Sequence, residues 1–425
     1  MATATKSSKK TAKHSTGNVF ATISNLPRFT GKKIITMNKD VALSTMRNLT
    51  KKASLKIASI RDFTSETTNY QQAFTQGDGI FFDTLKIAVV NAGNEEQVNF
   101  MTEKSAATDH GLEVEPERFI YALPRAATIK TTQHPVLKSF FDNNAATWGV
   151  QAVNLLTSGF TGKGVNIAVL DTGLNLKHPD FARLTIQSKS FIKKQSVEDK
   201  NGHGTHCCGI AVGGIDKQTN QRYGVAIDAN LFAGKVLSNA GSGNDSGILA
   251  GIEWALQNKC RIISMSLGSE VLVGETFSPA YENAAKIALG KNCLIIAASG
   301  NESQRRFGLI NPVGHPANCP SIFAVAAINS HLKVADFSCG GINLDGGQVD
   351  IAAPGVDIFS SWKGKQHNTI SGTSMATPFV AGLAAVLCEA NVGSTASDIW
   401  MKLTQNALRL DSNSADVGAG LAQVK

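Results

Sequence analysis

Apolar and polar positions change rhythm twice along the chain, near Gly31 and again at Trp148. Between those points the pattern predicts strands over residues 33–37, 55–63, 79–90 and 112–123, and helices over 40–53 and 94–107. The order strand-helix-strand-strand-helix-strand belongs to a small ferredoxin-like α+β sandwich. Beyond Trp148, apolar strands at 165–170, 229–237, 262–267, 294–298 and 322–327 are separated by helical stretches at 204–213, 247–258, 280–290 and 375–390. Strands without polar alternation, each followed by a helix, predict an α/β fold, a doubly wound, mostly parallel sheet with helices on both faces. Function in such a sheet gathers at the strands' C-terminal ends, which singles out Asp171, Ser266 and Ser299.

Composition adds bounds. The 425 residues suffice for two or three domains, and 42% apolar content with 39 glycines describes a compact, loop-rich chain. No apolar run approaches the roughly 20 residues of a membrane span. The start of the chain, rich in Lys, Ser and Thr, has no apolar core of a secretory signal, which points to an intracellular protein or a non-classical route of export. Of the net charge of +8, most lies in residues 1–56, where twelve Lys/Arg face the single acid Asp40. Without interleaved aromatics this reads as a solvated basic tail rather than a nucleic-acid binder. Seven cysteines, an odd number without CxxC spacing, indicate neither a zinc site nor a disulfide framework; buried free thiols are the simpler account.

The candidate chemistry centres on Ser374, in residues 371–378, just before the small and apolar run 379–387. A serine at the start of a buried helix meets unpaired backbone N–H groups and the positive end of the helix dipole, which suits a nucleophile with a developing oxyanion. Taken alone it is as well an N-cap. Asp171 stands at a strand end before Thr172-Gly173, and His203 at a helix start between Gly202 and Gly204. His206 and Cys207 fall near the face of His203, but three-residue spacing without a helical glutamate is a poor zinc signature.

Asp171-Thr172-Gly173, residues 202–206 and residues 372–378, in that order, resemble the three signature segments of the subtilisin-like serine proteases. Residues 298–301 resemble the family's oxyanion-hole segment and 418–421 its closing segment, and Cys207 after His206 resembles the proteinase K branch. The resemblance implies a serine endopeptidase: Ser374 attacks, His203 is the general base, and Asp171 orients the imidazole. Asn301 and the Ser374 amide would hold the oxyanion. It further implies that Ser266, Leu267 and Gly268 form one edge for an extended peptide and Gly241 lies on the other. Ala298, Gly300 and Gly314 would line an open pocket for a large apolar residue, with Glu302 at its mouth. No cofactor is required for catalysis; Asp180 matches a calcium ligand of the family, which leaves room for structural calcium. Residues 30–123 resemble the family's inhibitory prodomain, after a flexible tail at 1–29 and before a processing linker at 124–147 and a peptidase domain at 148–425. The expected product is thus a broad-specificity zymogen acting on proteins or peptides, with its own prodomain as intramolecular inhibitor. The alternative is a silent binding protein on the same fold.

Overall fold

A computed structural model describes residues 27–37, 43–63, 69–106, 111–123, 139–216, 218–272 and 274–425. The expectations for the basic tail and for most of the linker fall outside these residues.

The first unit comprises β1 (Phe29–Met37), α1 (Leu43–Lys52), β2 (Ile57–Ser59), α2 (Ala73–Gln76), β3 (Gly79–Phe82), β4 (Ile87–Val90), α3 (Glu95–Ala106) and β5 (Leu112–Ala122). Strand order β5-β1-β4-β3, all antiparallel, is the ferredoxin-like arrangement, and β2 adds a parallel edge. The expected single strand over 79–90 is instead the hairpin β3–β4, turning at Asp83–Lys86 with Lys86 at φ 56°. The second expected strand, 55–63, shrinks to the three residues of β2.

Successive residues of these strands enter two different cores. Ile35, Phe81, Ala88 and Val90 pack beneath α1 and α3 with Val98 and Met101. Ile34, Ile80, Phe82, Ile87 and Val89 point the other way, into the core shared with the rest of the chain. Both faces of the small sheet are therefore apolar, which is why its strands lack polar alternation.

The second unit opens with α4 (Trp148–Ala152) and continues with β6 (Asn166–Asp171), β7 (Ile186–Ser190), α5 (His203–Val212), β8 (Asn230–Lys235), β9 (Ser242–Asn244) and α6 (Asp245–Gln257). Next come β10 (Ile262–Met265), β11 (Leu267–Gly268), α7 (Pro279–Gly290), β12 (Leu294–Ala298), β13 (Phe323–Ile328) and β14 (Ile351–Pro354). The hairpin β15 (Ile358–Trp362) and β16 (Gln366–Ile370) leads into α8 (Thr373–Ala390), α9 (Ala396–Asn406) and α10 (Ser414–Val417). Seven parallel strands in the order β14-β13-β12-β10-β6-β8-β7 form the central sheet. Helices α5 and α8 pack on one another and on the sheet, while α6 and α7 pair with each other and touch the first unit.

Helix α8 is long and apolar enough to cross a membrane by length and composition, yet 89% of that stretch is buried inside the protein. It is a core helix. All seven cysteines are buried free thiols.

Candidate active site

From β6 the chain moves outward to β7, returns to β8, and then crosses to β10 on the other side of β6. The C-terminal ends on either side of this reversal bring Asp171 and Ser266 together, where a parallel sheet opens a crevice. Both carboxylate oxygens of Asp171 accept from His203 Nδ1, at 2.8 and 3.0 Å. In the neutral ring that pairing places the proton on Nδ1 and leaves Nε2 with a lone pair. Nε2 is buried and has no hydrogen-bond partner among the described residues. Burial pulls the imidazole pKa down, but the Asp171 carboxylate, joined by Cys207, outweighs it and holds the pKa well above its ordinary 6.5.

The position of His203 is fixed by its neighbours. Gly202 precedes α5 at φ 104°, and a Cβ there would meet the Trp362 ring at 2.6 Å, so only glycine fits. Asp199 gathers the loop: its Oδ1 accepts from Thr172 Oγ1 and the amides of Asn201 and Gly202, and its Oδ2 from the Thr205 amide and hydroxyl. This buried carboxylate ties the end of β6 to the start of α5. Its role was not anticipated, although an acid four residues before a glycine-flanked histidine is a legible helix-start signal.

Ser374 is the second residue of α8. Its hydroxyl donates to the Ser266 carbonyl at 3.2 Å. Four residues on, Pro378 lies inside the helix and has no N–H to offer the Ser374 carbonyl. Two side chains take over that acceptor: Ser266 Oγ donates to it at 2.8 Å and Cys207 Sγ at 3.5 Å. Cys207 Sγ also lies 3.9 Å from His203 Nδ1, so the buried thiol bridges the two segments that carry His203 and Ser374. Beside them, Asn301 Oδ1 accepts from the Thr373 amide at 2.9 Å and hydroxyl at 2.8 Å, which fixes the orientation of its amide at the start of α8.

A segment of the chain itself lies between the two stretches expected to flank a substrate. Strand β5 pairs antiparallel with β11, Leu267 facing Ala122 and Gly268 facing Tyr121. On its other side it pairs with β9, Phe119 facing Asn244 and Tyr121 facing Ser242. Gly241, at φ 82°, accepts the Ala122 amide at 2.7 Å. Leu123 is buried and reaches to within 3.6 Å of where a Gly268 Cβ would stand. Leu123, His203, Gly268 and Glu302 line one cavity of about 500 Å³. Ala298 ends β12, and the Gly314 amide bonds to Ser299 O at 2.9 Å, so the three expected wall positions converge around Ser299 and Gly300. A Cβ at Gly300 would collide with Glu302 Oε2 at 2.5 Å. The Glu302 carboxylate accepts from Cys339 Sγ at 3.2 Å, and burial raises its pKa.

Carboxylates also anchor β5 to helix starts. Glu115 accepts from Ser278 Oγ and the Ala280 amide at the start of α7, at 2.7 and 2.9 Å. Glu117 accepts the Ser246 amide at the start of α6, at 3.1 Å. Negative charge at a helix N-terminus satisfies orphan amides and the dipole together. Neither contact was read from the sequence, because the partners lie more than a hundred residues apart.

Residues 162–420 match the Subtilase family. Subtilisin DY of Bacillus licheniformis is 35% identical over 277 residues, covering 65% of this chain and 95% of that protein. Subtilisin E of Bacillus subtilis (strain 168) is 37% identical over 279 residues, 65% of this chain and 68% of that protein. A subtilisin of Bacillus sp. (strain TA39) is 35% identical over 360 residues, 78% of this chain and 81% of that protein. Among solved structures, sphericase is 34% identical with a TM-score of 0.57, covering 65% of this chain and 98% of its own. Fold, motif order and these similarities lead to one conclusion: the chain belongs to the subtilase family and is a serine endopeptidase.

Proposed function

We propose that the chain is made as a zymogen that hydrolyses peptide bonds through an acyl-enzyme on Ser374. The observation that carries this is the Asp171–His203 bond at 2.8 Å together with Cys207 Sγ, which reaches from His203 Nδ1 at 3.9 Å to the Ser374 carbonyl at 3.5 Å and so brings the starts of α5 and α8 to the end of β6. His203 Nε2 accepts the proton of Ser374 Oγ as that oxygen attacks the carbonyl carbon, then delivers it to the leaving amine. Asp171 keeps the Nδ1–H tautomer and stabilises the imidazolium. The Asn301 side-chain amide and the Ser374 N–H stabilise the tetrahedral oxyanion. Water repeats the sequence to release the acid.

Residues 30–123 act as the inhibitory prodomain and 148–425 as the peptidase, joined through 124–147. The supporting contact is β5 lying between β9 and β11, as an extended peptide substrate would. In this reading Leu123 occupies the pocket before the scissile bond, so a large apolar residue is preferred there and backbone pairing keeps specificity broad.

Peptide hydrolysis in this family needs no cofactor. Calcium at Asp180 is disfavoured by the donors around it. Calcium takes six to eight oxygen ligands, whereas two of the groups beside this carboxylate are imidazole nitrogens, His367 Nε2 at 2.7 Å and His178 Nδ1 at 3.6 Å. The test of the proposal is casein hydrolysis by the purified chain and by Ser374→Ala, with N-terminal sequencing of the active species. A new N-terminus between 124 and 148 and an inert variant are expected. Activity that survives in Ser374→Ala would reject the reading.

A further inference from the structure

A second cluster of metal-ligating side chains lies apart from the catalytic group, between the turn that follows β6 and the hairpin that precedes α8. His178, Asp180 and His367 each offer one ligand atom within 4.8 Å of the other two. His178 and Asp180 are buried, and the His367 side chain is 19% exposed, which leaves a path for an ion.

The tautomer of His178 is fixed from behind. Its Nε2 lies 2.9 Å from the Gln366 carbonyl oxygen, an acceptor only, so Nε2 carries the proton and Nδ1 presents a lone pair. An imidazole whose second nitrogen donates to a backbone carbonyl is the usual support of a metal-bound histidine. Nδ1 accepts a long hydrogen bond from the Asp180 amide at 3.3 Å and stands 3.6 Å from Asp180 Oδ2. At that length the amide contact is weak, so the Nδ1 lone pair can be given up to an ion seated between His178 and Asp180 Oδ2. From the far side, His367 Nε2 reaches the same oxygen at 2.7 Å. Tyr223 and Ser361 hydroxyls hold that carboxylate in place.

We propose that His178 Nδ1, His367 Nε2 and the Asp180 carboxylate form a binding site for zinc. Two imidazoles and one carboxylate suit zinc and related first-row ions and do not suit calcium. On binding, the proton that His367 Nε2 shares with Asp180 leaves that nitrogen, and the ring either carries it on Nδ1 or releases it to solvent. Affinity therefore falls as pH drops and the imidazoles protonate. The ion would join the His178–Asp180 turn to β16, whose end runs into Ser374 four residues later, and so would clamp the segment that sets the nucleophile. The site is separate from the proposed acyl-enzyme chemistry and stands or falls independently of it.

The test uses the full chain with Ser374→Ala, which prevents self-digestion, titrated with cobalt(II) as a spectroscopic substitute and then with zinc. Visible d–d bands of a tetrahedral or five-coordinate ion, displaced by one equivalent of zinc and lost in His367→Gln, are expected. Near-ultraviolet circular dichroism checks that the variant is folded. Should it not fold, His367→Phe preserves the ring stacking on Phe359, at 4.9 Å between centroids, and removes the ligand. Folded protein without visible bands at saturating cobalt would overturn the proposal. So would bands that persist in the folded variant, or a thiolate charge-transfer band, which would put the ion on Cys207.

Discussion

Pro378 decides how Ser374 is held. By withholding one helical N–H it leaves the nucleophile's own carbonyl to Ser266 and Cys207, so the backbone beneath Ser374 is fixed by two side chains from other segments. Asn301 is fixed in the same manner, by Thr373. Replacing it with leucine keeps the volume and removes the oxyanion donor. Asn301→Leu is therefore expected to lower kcat about 100- to 1000-fold, a range established in subtilisin, with KM little changed; a large rise in KM at constant kcat would reject that role. His203 yields the second prediction. Attack requires the neutral imidazole, and in the folded chain Asp171 favours the charged one, so activity should fall with decreasing pH through a midpoint above 6.5. In Asp171→Asn the midpoint should move down and kcat fall by about 10⁴-fold. An unchanged pH profile in a folded Asp171→Asn would contradict the assignment. Asp171, His203, Ser374 and Asn301 were singled out because segments at strand ends and helix starts resemble the signature motifs of the subtilisin-like proteases; each position taken alone was ambiguous. The support from Asp199, Thr373 and Pro378 was not, since it depends on which segments the fold brings together.

Strand β5 is the element that links the two units. It completes one sheet through β1 and lies in the cleft through β9 and β11. Its Glu115 and Glu117 satisfy the starts of α7 and α6. Hydrogen bonds to a buried charged group contribute about 1.5–3 kcal/mol each. Glu115→Ala removes two such bonds and should loosen the first unit by about 3–6 kcal/mol, and in a progress curve the lag before peptidase activity should shorten. A lag equal to that of the unaltered chain would show that the helix-start contact does not govern release. The misread stretch 79–90 belongs to the same interface. Its turn carries Leu85, fully buried, and the amides of Thr84 and Leu85 are bound by Glu253 of α6. An apolar residue in a turn, buried only by docking, made two strands look like one. In the central parallel sheet β6, β8, β10, β12 and β13 were easier to read, because they are apolar on both faces within one unit; the polar β7 and the short β14 were not.

At the scale of the whole molecule, two units with one shared core explain the chain's organisation. The small sheet covers α6 and α7 with one face and its own helices with the other, so the apolar content of residues 30–123 exceeds what that unit can bury alone. The proposed zymogen follows from the same packing, since the strand that leaves this sheet fills the cleft above His203. The most direct test is covalent: a fluorophosphonate probe is added to the chain before and after maturation, and the adduct is located by peptide mapping. Slow labelling of the intact chain, rapid labelling after loss of the first unit, one adduct per molecule on Ser374, and none in Ser374→Ala are expected. A matured, folded chain that takes no label, or takes it on another residue, would contradict an acyl-enzyme on Ser374.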